Sequence, residues 1–183
     1  MISVRNITVR FDAITVLDRI SLSIPDDGLT YLSGPSGRGK TTLLRVLAGL
    51  PVPDAGSVSL PGRPVLLFQE DRLFPGRTAL QQVEAVLTGQ RRCEAIRWLE
   101  LAELAASADL LPEELSGGMA RRVSLARALA VEGDVLLLDE PFAGVDLPRA
   151  ERILTRIKSL HKPVILTGHT PELARLCDHI LEL

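Results

Sequence analysis

Gly34-Pro35-Ser36-Gly37-Arg38-Gly39-Lys40-Thr41 is the stretch from which the rest of the chain is read. It carries the spacing G-x-x-x-x-G-K-[ST]. Leu29-Thr-Tyr-Leu-Ser33 before it reads as a short strand, and Lys40 to Ala48 after it reads as a buried helix that stops at Gly49. The glycines let backbone N–H groups turn inward around phosphate oxygens, and a helix start aims its positive dipole end at the same anion. Gly34 through Gly39 form the cradle, with Thr42 in the first helical turn. Lys40 is placed for β- and γ-phosphates, and the Thr41 hydroxyl for Mg²⁺. A chance glycine-rich turn is the bland reading, and the strand and helix on either side weigh against it. A nucleotide is the expected ligand.

Working outward, Ile2 to Phe11 alternates apolar and polar residues as a half-buried strand, and a second strand is expected near Ile20 to Ile24. Two short strands follow, around Val58 and Val65 to Phe68. Thr78 to Leu104 reads as the most helical part, and a further helix runs from Gly118 to about Ala130. Strands at Val135–Leu138, Val164–Thr167 and His179–Leu183 then alternate with helices at Pro148–Leu160 and Pro171–Cys177. Runs such as Val-Leu-Leu-Leu point to a mostly parallel α/β sheet covered on both faces.

The 183 residues are 46% hydrophobic and 24% charged, with a formal net charge of −2. That composition supports a packed core and gives no basic footprint for nucleic acid. No apolar run approaches the roughly 18 residues of a membrane helix, and no basic-then-apolar leader opens the sequence. Cys93 and Cys177 lack metal-ligand spacing and are too few for a disulfide framework, so a reducing, cytoplasmic setting is expected.

Two further motifs carry chemistry. Asp139-Glu140 follows the strand Val135-Leu-Leu-Leu138, where ligands gather in open α/β sheets. Asp139 suits Mg²⁺ through water, and Glu140 suits polarising an attacking water. Alone, the pair reads more readily as a solvated strand end. Leu115-Ser116-Gly117-Gly118 opens a helix with two adjacent glycines, either as a second anion site or as a plain Ser116 N-cap with a glycine-eased turn.

Taken in order, these motifs resemble those of the ATP-binding cassette (ABC) ATPases over essentially the whole chain. The order is the loop Gly34–Thr41, Gln69, the signature Leu115–Gly118, Asp139-Glu140, Asp146 and His169. The resemblance implies an α/β fold: a P-loop NTPase core with a mostly parallel sheet, a small N-terminal antiparallel part and an inserted helical subdomain. One domain is expected over residues 1–183, with that subdomain at about 76–130. Implied roles are Phe11 stacking on adenine, Gln69 sensing the γ-phosphate, Mg²⁺ and attacking water, and Glu140 acting as base. His169 is implied to hold Glu140 and the γ-phosphate. Ser116, Gly117 and Gly118 are implied to touch the ATP of a partner subunit, and Asp146 to lie at the dimer contact. As alternatives read from the residues alone, Phe11 is a strand-end core residue and Asp146 a helix cap. His161 and His179 have no such context and are expected at the surface or in packing.

The implied partners are a second cassette, identical or not, a separate integral membrane permease and a solute-binding protein, with no nucleic acid. The implied place is the inner face of the cell membrane. Gln69-Glu-Asp-Arg-Leu73-Phe74-Pro75 is similar to the coupling loop of importer cassettes, with one of its two apolar residues expected to serve local packing instead. An exporter, a lipid-handling subunit or a silent regulatory cassette are the alternatives. The short stretch from Lys40 to Ser116, without sustained heptads, speaks against the coiled-coil ATPases of DNA repair. Met119 stands where the family usually has Gln, and modestly altered turnover is expected from it.

Overall fold

The computed structural model describes residues 1–89 and 91–183. Its strands and helices, in chain order, are β1 (Ile2–Phe11), β2 (Ile14–Ile24), β3 (Leu29–Ser33), α1 (Lys40–Leu47), β4 (Ala55–Ser59), β5 (Pro64–Leu67), α2 (Ala79–Glu84), α3 (Arg91–Leu101), α4 (Gly117–Ala130), β6 (Val135–Leu138), α5 (Leu147–Lys158), β7 (Val164–Thr167), α6 (Pro171–Arg175) and β8 (His179–Glu182). They divide into two compact units. The first holds Met1–Leu66, Gly133–Asp139 and His161–Leu183, and the second Leu67–Glu132 and Glu140–Leu160.

In the first unit a five-stranded sheet has the order β5-β6-β7-β3-β8. Its central pairs are parallel, with Leu137 beside Ile165 and Tyr31 between Leu166 and Ile180. All four residues of β6 and of β7 are buried, as strands covered on both faces require. A second sheet, β2-β1-β4, is antiparallel. Its Ile2, Val4, Ile7 and Val9 meet Leu43, Leu44 and Leu47 of α1 and Leu32, Val135 and Ile165 of the parallel sheet in one core. The β1–β2 hairpin is longer than expected. β2 starts at Ile14, because pairing with β1 continues to the tip, where Phe11 faces Ile14. Polar and exposed residues such as Thr15 and Asp18 hid those rungs from a reading based on apolar pattern.

α1 closes with paired bonds from Gly49 N–H to the Val46 carbonyl (3.0 Å) and from Leu50 N–H to the Arg45 carbonyl (2.7 Å). Gly49, at φ +77°, supplies the left-handed residue this ending needs.

The second unit has its own core. Leu80, Val83, Ala95, Leu99, Val123 and Ala126 join α2, α3 and α4. Thr78 to Leu104, read as the most helical part, holds two helices rather than one. α2 begins with a Thr78–Gln81 capping box and ends at Glu84, with Ala85 as its C-cap, and Gly89 takes φ +84°. Leu87 between them is buried, so the chain bends to deliver it rather than continuing the helix. Gln90, inside the same stretch, lies outside the described residues. In α5, Ala150, Ile153, Leu154 and Ile157 are buried at helical spacing, each large side chain contributing about 1.5–3 kcal/mol.

Glu103 binds this unit together electrostatically. Its carboxylate accepts from Arg152 Nε (2.7 Å) and Nη2 (2.9 Å) and from Arg149 Nε (3.1 Å) on α5. Arg152, with Arg149 and Arg156 beside it, holds the carboxyl down to about 2 from its ordinary 4.5. Because the folded group titrates below the unfolded one, its stabilisation is complete above about pH 4.5. It is lost as the pH falls towards about 2. Glu103→Gln should therefore lower the urea midpoint at pH 7, by about 1–3 kcal/mol in stability, and this deficit should shrink as acid is added. Equal midpoint losses at pH 7 and pH 3 would refute the assignment.

Candidate functional site

The phosphate loop lies in the first unit, as read from the sequence. Pro35, Ser36, Gly37 and Arg38 are exposed, Gly39 and Lys40 are buried, and Thr41 and Thr42 are half-buried at the start of α1. Arg38 N–H to the Pro35 carbonyl (3.3 Å) tightens the loop. Gly39 caps α1 in the left-handed region, at φ +96°. A Cβ there would come within 2.7 Å of Leu17 and 3.2 Å of the Val16 carbonyl, so β2 itself demands glycine. Lys40 is 9% exposed, and its Nζ donates to the Gly34 (2.7 Å) and Pro35 (2.9 Å) carbonyls. The loop thus holds a buried ammonium charge at its centre, ready to exchange two carbonyl acceptors for anionic oxygens.

Asp139 follows β6 and is 3% exposed. Its Oδ1 accepts from the Thr167 hydroxyl at 2.8 Å, across the β6–β7 pairing. Sequence reading missed Thr167. It ends an apolar strand, and only the sheet register reveals that it faces Asp139. His169, two residues further along, is exposed. α1, which starts at Lys40-Thr41, packs against β6. The hydroxyl of Thr41 and the carboxylate of Asp139 are both hard oxygen donors. No cluster of three or more His, Cys, Asp or Glu side chains able to hold a metal occurs among the described residues. One or two protein oxygens with the remaining ligands from phosphate and water is how Mg²⁺ is held, so the donor set fits that ion. Phe11 is 49% exposed at the hairpin tip, which removes the core alternative for it and leaves a ring face available.

The second unit carries the remaining residues. Ser116 caps α4, its Oγ accepting from Met119 N–H at 3.3 Å, so the N-cap reading holds at this position. The two signature glycines differ. A Cβ on Gly118 would run into the Gly144 carbonyl, whereas one on Gly117 meets nothing within 4 Å. Met119 is partly buried against the α2–α3–α4 core, so the residue replacing the usual Gln serves packing. Asp146 caps α5, accepting from Arg149 N–H at 3.1 Å and from Arg149 Nη1 at 2.7 Å.

Gln69 is exposed and Glu140 half-buried. Glu140 sits at φ +49°, in the left-handed region that a non-glycine residue occupies at a cost of about 1–3 kcal/mol. Its carbonyl accepts from Arg121 Nε at 2.9 Å, and the same guanidinium donates to the Gln69 carbonyl at 3.0 Å. Arg121 was not singled out from the sequence. The available signal was an arginine repeated within an otherwise apolar helix; in the fold Arg121 is 2% exposed.

Leu73 packs into the helical core, while Phe74 stays 46% exposed. Gln82, fully buried, clamps Phe74 by accepting from its N–H (3.0 Å) and donating to its carbonyl (2.7 Å). Arg77 and Arg127 lie over the ring at 5.1 and 5.4 Å. Phe74 is thus an exposed aromatic whose backbone is fixed by one buried side chain, Gln82. His161 and Cys93 are exposed, and His179 lies 3.6 Å from Asp27. No helix among the described residues is long and apolar enough to cross a membrane.

Comparison with known proteins gives a consistent result. Residues 17–143 match the family described as ABC transporter. Aliphatic sulfonates import ATP-binding protein SsuB 1 of Nocardia farcinica is 43% identical over the whole chain and 77% of the relative. "Probable sulfate/thiosulfate import ATP-binding protein CysA" of Chlorella vulgaris is 38% identical over 91% of the chain and 78% of the relative. Among solved structures, the dimeric bacterial ABC transporter cassette MJ0796 superposes with a TM-score of 0.91 at 30% identity, covering all of this chain and 94% of that one. The same cassette in a dimeric post-hydrolysis state with ADP and Pi gives 0.90 at 29% identity.

Proposed function

The chain belongs to the ABC transporter family, and on that premise we propose that it is the ATP-hydrolysing subunit of an importer, acting as one cassette over residues 1–183 in a head-to-tail dimer. The contrast between Gly117 and Gly118 carries the dimer. Gly118 is required by its own unit, because the Gly144 carbonyl leaves no room for a side chain. A Cβ at 117 would meet nothing within 4 Å among the described residues, so the start of α4 is open there, and in this reading the ATP of a second cassette seats on it.

In this reading Lys40 and the loop N–H groups from Gly34 to Thr42 bind the phosphates, and Phe11 stacks on adenine. Thr41, Asp139 and Gln69 would hold Mg²⁺, which neutralises charge on the transferring phosphoryl group. Glu140 accepts the proton of the attacking water, and His169 orients Glu140 and the γ-phosphate. Ser116, Gly117 and Gly118 complete the site of the partner cassette, and Asp146 lies where the two cassettes meet. Contacts from Ser116, Gly117 and Gly118 to the partner's γ-phosphate exist only in the closed pair, so ATP favours closure and hydrolysis reverses it.

The exposure of Phe74 supports a docking point for a permease, and with it a position on the cytoplasmic face of the membrane. The relatives named for sulfonate and sulfate import make small anionic sulfur solutes the first candidates for transport. A solute-binding protein would deliver them.

Two experiments test these statements. Gly117→Ala should leave the thermal midpoint of the single chain equal or slightly higher, since alanine favours a helix by about 0.5–1 kcal/mol, yet sharply reduce ATP-driven dimerisation. Gly118→Ala should lower the midpoint itself. The dimer reading fails if Gly117→Ala dimerises with ATP like the parent. Purification of the native complex from membranes should recover an integral membrane protein, whereas recovery with DNA or ribosomes would defeat the transporter assignment.

A further inference from the structure

Arg121 lies on α4, five residues after Ser116, and is 2% exposed. The fork donates in two directions. Nε reaches the Glu140 carbonyl at 2.9 Å, and Nη1 reaches the Phe68 and Gln69 carbonyls at 2.7 and 3.0 Å and Asp71 Oδ1 at 3.1 Å. Two further residues of the same ridge, at three-residue spacing, hold the same segment. The Ser124 hydroxyl donates to the Asp71 carbonyl at 2.7 Å, and Arg127 Nη2 to that carbonyl at 2.9 Å. The 68–71 segment leads directly to the exposed Phe74, and its carbonyls are therefore bonded to the helix that also grips the turn at Glu140.

We propose that Arg121 is a positioning residue that joins the permease-facing segment 68–71 to the left-handed turn at Glu140, so that displacement of one moves the other. The proposal rests on the reading of Glu140 as base and of Phe74 as a permease contact. Its physical basis is the planar, rigid guanidinium. Its donors have fixed relative directions, so a shift of the Phe68 and Gln69 carbonyls tilts the Nε bond to Glu140. An ammonium cannot do this, because one nitrogen on a flexible stem adapts to either side separately. Bonds to main-chain carbonyls make the link independent of what the Gln69 and Glu140 side chains are doing at the phosphate.

The full chain carries the test. Arg121→Lys should lower kcat for ATP hydrolysis by about 100-fold, as a displacement of about 1 Å at a reacting group does, while KM for ATP stays near the parent value. In a Glu140→Gln background the same substitution should cause no further loss of kcat. A rise in KM with kcat retained, or an equal loss of kcat in both backgrounds, would assign Arg121 a structural role only and overturn the proposal. Amide exchange on the unaltered chain covers the case in which Arg121→Lys does not fold. Residues 68–72 and 140–144 should open with one free energy and gain protection together on adding ATP. Two unrelated opening free energies would overturn the link. If Glu140→Gln alone keeps the parent turnover, the assignment of the base fails, and the exchange experiment still decides the link.

Discussion

Glu140→Gln should bind ATP with the parent affinity, hydrolyse it at least about 100-fold more slowly and accumulate as an ATP-bound dimer. The substitution keeps the size of the side chain and removes only its ability to take a proton. The backbone that positions it is unaffected, because Arg121 holds the Glu140 carbonyl and Ala143 N–H donates to the same oxygen at 3.2 Å. The phosphate-binding groups, in the first unit, are likewise untouched. Slow turnover with normal affinity removes the step that opens the dimer while leaving the step that closes it. Size-exclusion chromatography with ATP and with ADP, beside a steady-state assay, reads both halves. A variant that hydrolyses ATP like the parent would remove Glu140 from the chemistry. A variant that is inactive but remains monomeric would instead remove the closed pair as the ATP-bound state.

The readability of such residues from sequence depended on whether their requirement is local. Gly34 to Thr41 is a contiguous device, in which glycine conformations, the lysine and the helix start all lie within one turn of chain. The strand Leu29–Ser33 and the helix start at Lys40 are legible to the residue, while the helix ends at Leu47, one residue before the Ala48 expected. Asp139-Glu140 was legible for the same reason, at the end of four consecutive apolar residues. Thr167 and Arg121 were not, because each acts on a partner distant in sequence, and Gln82 was not, because its hold on Phe74 depends on how the loop before α2 folds back on it. Thr167 meets Asp139 only through the register of β6 and β7, and Arg121 meets Phe68, Gln69 and Glu140 only after α4 has packed. The break between α2 and α3 escaped for a third reason. Ala, Leu, Glu and Gln favour helix throughout, and the core's need for Leu87 overrides that preference. The left-handed backbone at Glu140 has no sequence signature, since the residue there is neither Gly nor Asn.

Lys40→Ala should reduce ATP affinity by at least about 100-fold, the loss expected when a charge-assisted contact worth roughly 3 kcal/mol is deleted from a phosphate site. The size follows from where the ammonium already sits. Lys40 is buried and bonded to the Gly34 and Pro35 carbonyls, so part of its desolvation is met in folding and need not recur when phosphate binds. Removal also takes one donor from each carbonyl and leaves that of Pro35 with the 3.3 Å bond from Arg38 N–H, which should loosen the loop and lower the thermal midpoint. Lys40→Met separates the two consequences, since it keeps most of the apolar stem while losing the charge. Met should retain more of the stability than Ala and recover none of the ATP affinity. Lys40→Arg keeps the charge but carries a planar head wider than the place between two loop carbonyls, and its affinity should fall between the other two. Calorimetric titration with ATP, run beside thermal melts of the three variants, gives both orderings. Equal ATP affinity in parent and Lys40→Met would mean that the loop amides alone hold the phosphates, and the ammonium serves only to close the loop.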